Sequence, residues 1–187
     1  NKNVGLKENI KKYIRFTKKF LKRKKRSINF QFDIKIEKVT AENIQNLFHK
    51  YGIPKNFDLL SIDIDYNDYW VWKSIVDYVP RVVVIEFNSS IPPDESKVVP
   101  YNADSKWDGT NYFGASLLAL KNLGLEKGYT LVGCDSNGVN AFFCKTELIS
   151  NFKIKNIQNL YMPPKYGEII NGVHTGHPVS AKKMIDV

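Results

Sequence analysis

Residues 57–72 read FDLLSIDIDYNDYWVW. An apolar run, Leu59, Leu60, Ile62 and Ile64, meets Asp63, Asp65, Asn67 and Asp68 almost without a gap, and an aromatic segment follows. A short continuous apolar block predicts a strand covered on both faces. The period of two puts Ser61, Asp63 and Asp65 on one face, with Ile62 and Ile64 opposite. The segment after it, DYWVWKSIVDYV (68–79), predicts a helix that starts at Asn67 or Asp68 and stops at Pro80. RVVVIEFN (81–88) then predicts a second buried strand, closed by Glu86 and Asn88.

Outward from this centre the pattern repeats. Residues 40–51 predict a helix capped by Thr40 and ended by Gly52 and Pro54. Residues 112–124 predict another, ending at Gly124. YTLVGC (129–134) and VNAFFCK (139–145) flank the turn DSNG and predict an antiparallel hairpin. INFQFDIKI (28–36) alternates strictly and predicts a half-buried strand near a sheet edge. Residues 7–25 predict a helix with an apolar stripe and a basic face. The stretch 89–111 and the tail 151–187 read as loops, and no internal repeat is present. Strand–helix–strand–helix–strand with apolar strands predicts an α/β fold: a mostly parallel, Rossmann-like sheet finished by an antiparallel C-terminal hairpin. In such sheets ligands bind beyond the carboxyl ends of the strands. Asp63 and Asp65, with Glu86 and Asn88 beside them, are therefore expected in a crevice.

The 187 residues suit a single domain, and 43% hydrophobic with 25% charged content is ordinary for a globular protein. No apolar stretch nears the roughly 20 residues of a membrane span. The first residues show no secretory apolar region and no initiator Met, so the expectation is a cytoplasmic, N-terminally truncated chain. Cys134 and Cys144 are too few for a disulfide framework and read as reduced core residues. The net charge of +9 is uneven: residues 1–26 hold twelve Lys/Arg against one acid, or +11, and the remaining 16 bases against 18 acids give −2. Residues 7–26 are thus the candidate contact for nucleic acid or another anionic partner, and equally a solvated helix face.

The motifs LLSIDIDYND, PRVVVIEFN, KWDGTNYFGASL and NAFFCK, in that order, resemble the carboxyl half of FkbM-type S-adenosylmethionine-dependent methyltransferases, over about residues 38–178. The resemblance implies a seven-stranded Rossmann-like sheet with strands four to seven at 57–65, 81–88, 129–134 and 139–145. It implies S-adenosylmethionine as cofactor and a hydroxyl of a sugar or small metabolite as methyl acceptor. This chain departs from the family in two places. Tyr66 stands where the IDxxG turn has glycine, and Gly5 is the only glycine before Gly52, so no Gly-rich cofactor loop is present. The expectation is a fragment or degenerate member that binds the cofactor weakly or not at all.

On this footing Asp63, Asp65 and Asn67 are the candidate cofactor contacts. Asp63, Asp65, His174 and His177 are the candidate catalytic groups, either His serving as a general base if the tail folds over the strand ends. Glu86, Asn88, Trp107, Asp108 and Tyr112 are the candidate substrate contacts, the last three on a loop long enough to form a lid. Oxygen ligands from two adjacent strand ends, Asp65, Glu86 and Asn88, suit a divalent metal such as Mg²⁺, Ca²⁺ or Mn²⁺. Each has a structural alternative: Asn67 or Asp68 as helix cap, the HTGHP pair as surface loop, the 107–112 loop as cover for the sheet. Two other functions stay open, a non-catalytic module using the basic helix and a divalent-metal-dependent hydrolase or transferase. A homodimer through an open sheet edge is also expected to be possible.

Overall fold

The computed structural model describes residues 33–187. The chain divides into two units, residues 1–37 and 38–187. In the first, the basic helix at 7–25 and most of the strand expected at 28–36 lie outside the described residues. Residues 33–36 form no strand, and Ile34 and Ile36 are exposed.

The second unit runs α1 (Ile44–Lys50), β1 (Leu59–Ile62), α2 (Asp68–Ser74), β2 (Val82–Glu86), β3 (Lys97–Val98), α3 (Leu117–Glu126), β4 (Tyr129–Cys134), β5 (Asn140–Lys145), a 3₁₀ turn (Thr146–Leu148), α4 (Ile157–Leu160), β6 (Glu168–Ile170), β7 (Val173–Gly176) and β8 (Ile185–Asp186). The main sheet has four strands in the order β1-β2-β5-β4. β1 and β2 are parallel, with Leu59 opposite Val82 and Ile62 opposite Ile85. β5 runs antiparallel to both β2 and β4. The fold is α/β with a mixed sheet, as expected, but only one of its three pairings is parallel.

The apolar tract 57–64 is the largest departure from the sequence reading. It lies at the sheet edge, with Leu59 and Ser61 exposed and only Ile62 of the strand fully buried. Leu60 and Ile64 pack against the core from its margin. The interior strands are β2 and β5, and in β2 Val83 and Ile85 are completely buried. Against β2 pack Trp72 of α2, Leu117, Leu120 and Leu123 of α3, and Phe143 of β5, the Trp72 and Phe143 ring centroids lying 4.9 Å apart. Gly124 lets α3 settle onto this surface. A Cβ there would stand 2.9 Å from Phe143 and 3.2 Å from Trp72.

Four helix boundaries move for identifiable reasons. α1 starts at Ile44 because the Asn43 side chain reaches back, accepting from Thr40 N (2.8 Å) and donating to Lys38 O (2.7 Å), so Thr40 does not cap. α2 ends at Ser74, not 79. Gln45 Oε1 accepts from Val76 N and Asp77 N, and Lys127 Nζ donates to Ile75 O at 2.6 Å, which satisfies the chain outside a helix. α3 starts at Leu117, where Ser116 Oγ accepts from Ala119 N and itself sits in line to receive Lys97 N. The expected stop at Gly124 falls inside the helix, and Gly128, at φ +81°, follows the true end.

The tail is more ordered than its composition suggests. β6 and β7 pair across Asn171-Gly172, with φ of +50° and +78°, the pair of left-handed residues that tight hairpins favour. β8 pairs with β3. Both cysteines are free and half-buried, and burial pushes the Cys134 thiol up to about 12. Among the described residues no helix is long and apolar enough to cross a membrane.

Candidate functional site: a carboxylate cluster at the strand ends

One residue beyond the last rung of the parallel pair, Ile62 opposite Ile85, stand Asp63 and Glu86. Two residues further, Asp65 adopts a left-handed backbone, φ +68°. Asp is among the few non-glycine residues that tolerate this region. The turn brings carboxylate oxygens of Asp63, Asp65 and Glu86 within 4.8 Å of one another. Asp63 and Asp65 are exposed and Glu86 is half-buried.

Behind them lies a fourth acid. Asp68 opens α2 with no exposed surface; its Oδ1 accepts from Ile64 N at 3.0 Å, and its Oδ2 has no hydrogen-bond partner. Glu86 Oε2 is likewise buried without one. Burial pushes Glu86 up to about 9, and the charges of Asp68, Asp63 and Asp65 push the same way. Burial lifts Asp68 to about 7 against the opposing pull of the Ile64 amide. Asp63 is also raised, by burial first and then by Asp65. Carboxylates without cations or donors hold protons instead of charge. Burial therefore favours the protonated form of Glu86 wherever no cation or donor faces it.

The cluster opens into a small cleft of about 40 Å³ lined by Asp65, Glu86, Trp107, Phe113 and His177. The tail does fold over the strand ends. His177 follows β7 and is ringed by Trp107 (4.5 Å between centroids), Tyr166 (5.1 Å) and Phe113 (5.8 Å). Burial lowers its pKa, favouring the neutral imidazole that a general base requires. Asn111 N donates to Pro178 O, Ser180 N donates to Asn111 Oδ1, and Lys182 pairs with Asp108 at 2.7 Å. These contacts stitch the 107–113 loop to the tail. Gly167 and Gly176 pass so closely that a Cβ on Gly167 would lie 1.8 Å from Gly176 O.

The structure thus brings together Asp63, Asp65, Glu86, Trp107 and His177. It does not bring in the others. Asn88, expected as a ligand, is fully buried: its Nδ2 donates to Asn111 O and Phe113 O, and its Oδ1 accepts from Ser90 N, so it braces the loop. Asn67 occupies the cap position of α2 without capping it, and its Nδ2 donates to Asn102 O at 2.8 Å. Asp108 is held down to about 2 by Lys182 and Thr110 and serves the loop. Tyr112 lies beside Tyr66, with Lys182 over its ring. His174 sits on β7 outside the cleft lining. Sequence reasoning missed Asp68, Phe113 and Tyr166 as parts of the site. Asp68 looked like an ordinary helix-start acid, and nothing in the sequence distinguished the two aromatics.

Compared with known proteins, the chain matches no family model, no curated protein and no solved structure.

Proposed function

We propose that residues 38–187 are the acceptor-binding part of an S-adenosylmethionine-dependent, methyltransferase-like domain that acts on a hydroxyl of a sugar or other small metabolite. The observation that carries this reading is the convergence of Asp63, Asp65 and Glu86 at the carboxyl ends of two adjacent parallel strands, the place where open α/β sheets receive ligands. The motif resemblance supplies the reaction class. In that reaction S-adenosylmethionine, where held, would supply the methyl group to the acceptor oxygen and would leave as S-adenosylhomocysteine. The hydroxyl proton passes to a base beside it, and His177 offers a neutral imidazole at the cleft wall. The acids and aromatic rings of the cleft would position the acceptor, an effect that can supply a large share of the rate acceleration.

The test is transfer of labelled methyl from S-adenosylmethionine to a panel of sugars and polyols. It should be run on the polypeptide as its gene encodes it, any sequence upstream of Asn1 included. Transfer that Asp65→Asn and His177→Ala each reduce at least a hundredfold is the expected result. Absence of both transfer and S-adenosylhomocysteine binding by calorimetry overturns the reading. The 187 residues alone are expected to bind the cofactor no better than weakly, and micromolar affinity would refute that expectation.

A further inference from the structure

We infer that Asp63, Asp65 and Glu86, backed by Asp68, form a binding site for one hard divalent cation of the Mg²⁺, Mn²⁺ or Ca²⁺ class. Three observations lead there. The first is spacing: oxygens that share one such ion at 2.0–2.6 Å lie no more than about 5 Å apart, and the three carboxylates meet that limit at 4.8 Å. The second is the donor set. It consists of carboxylate oxygens, with no sulfur among them, which selects hard cations over zinc or copper.

The third observation is independent of the cluster itself. Asp68 is completely buried, yet its Oδ2 has no partner. Its Oδ1 accepts from the amide of Ile64, the residue between Asp63 and Asp65, so this acid is tied to the turn that carries the outer pair. Buried carboxylate oxygens are almost always hydrogen-bonded, and those that are not require an explanation. Among the described residues no Lys or Arg is paired with any of the four acids. A cation at the front of the cluster binds the outer three groups directly and sets positive charge beside the buried, unpartnered carboxylate of Asp68. The open side of the cleft, about 40 Å³, has room for one or two retained waters or an acceptor oxygen. A hydroxyl there would be polarised by the ion and made easier to deprotonate. The inference needs the cleft but not methyl transfer, so the two readings fail separately.

The experiment titrates the full chain, stripped with chelator, with Mn²⁺ alone. Binding is followed by electron paramagnetic resonance and calorimetry, then repeated with Mg²⁺ and Ca²⁺. The expected result is one Mn²⁺ per chain, weakened at least tenfold by Asp65→Asn and by Glu86→Gln. Asp186→Asn, remote and exposed, should leave it unchanged. Asparagine is at home at positive φ, so Asp65→Asn preserves the turn and isolates the loss of charge. Should Glu86→Gln fail to fold by circular dichroism, Asp65→Asn alone decides. No binding at millimolar Mn²⁺, or binding that Asp65→Asn leaves intact, overturns the inference. In that event the cluster holds protons and water only.

Discussion

The two ends of the four-stranded sheet handle buried polarity in opposite ways. Below the strands, α2, α3 and the start of β4 enclose an open pocket of about 250 Å³ lined by Leu60, Trp72, Tyr78, Lys127 and Tyr129 among others. Its polar groups are satisfied: Tyr129 OH donates to Pro80 O at 2.7 Å, and Lys127 Nζ donates to Ile75 O at 2.6 Å. At the carboxyl end, Asp68 Oδ2 and Glu86 Oε2 are buried without any partner. Unsatisfied buried groups cost stability and persist where a site uses them. The larger cavity is therefore the structural end, and the smaller one, with its orphaned acids, is the candidate for chemistry.

The heaviest blow to the closed end is Trp72→Ala. This side chain is almost completely buried between Phe143 and Tyr129, and its removal should cost about 3–5 kcal/mol in urea unfolding. A cost under about 1 kcal/mol would mean that the pocket collapses freely and is no rigid core.

The acid end should respond to pH with the sign reversed from that of a salt bridge. Burial raises Glu86 to about 9 in the native state, whereas the unfolded chain releases the proton near the ordinary carboxylate value of 4.5. Between those values the native state binds more protons, so stability is greatest below pH 4.5 and falls as pH rises toward 9. In chelator, the decline between pH 5 and 8 should be on the order of 4 kcal/mol from Glu86 alone, with Asp68 adding to it up to about pH 7. Glu86→Gln should flatten the slope, and an unchanged slope would assign the effect to other groups.

Tyr129→Phe tests the opposite end. Losing the hydroxyl strands Pro80 O and should destabilise by about 1 kcal/mol with little pH dependence across this range. The smallest effect is expected for Asp108→Asn, an exposed partner of Lys182. Its melting temperature should stay near that of the parent, while limited proteolysis in the 107–113 loop should speed up. Equal melting losses for Tyr129→Phe and Asp108→Asn would blur the distinction between interior and rim.

Legibility in the sequence followed how local each determinant is. The β4–β5 hairpin was readable nearly to the residue, because Asp135 and Gly138 specify its turn within a few positions. The Asp63, Asp65 and Glu86 grouping was readable because parallel pairing follows from the pattern of elements. The edge position of β1 was not, since a run of apolar residues looks alike whether both faces are covered or one. Helix ends were misplaced wherever a distant side chain intervened, as Gln45 does at Val76 and Lys127 at Ile75. Asn88 failed as a ligand for a related reason. Its partners, 23 and 25 residues away, are backbone carbonyls that no side-chain pattern reveals.

Gly124 carries a last consequence. Alanine is the strongest helix former and glycine about 1 kcal/mol worse, so intrinsic preference alone would favour Gly124→Ala in α3. The added methyl, however, would meet two aromatic rings already fixed by their own packing. Local preference and global fit pull in opposite directions at this one position. The missing carbon works as a spacer gauge that sets how closely helix and sheet approach. Stabilising this protein by surveying its helices for weak formers would select, first of all, the substitution that pries it open.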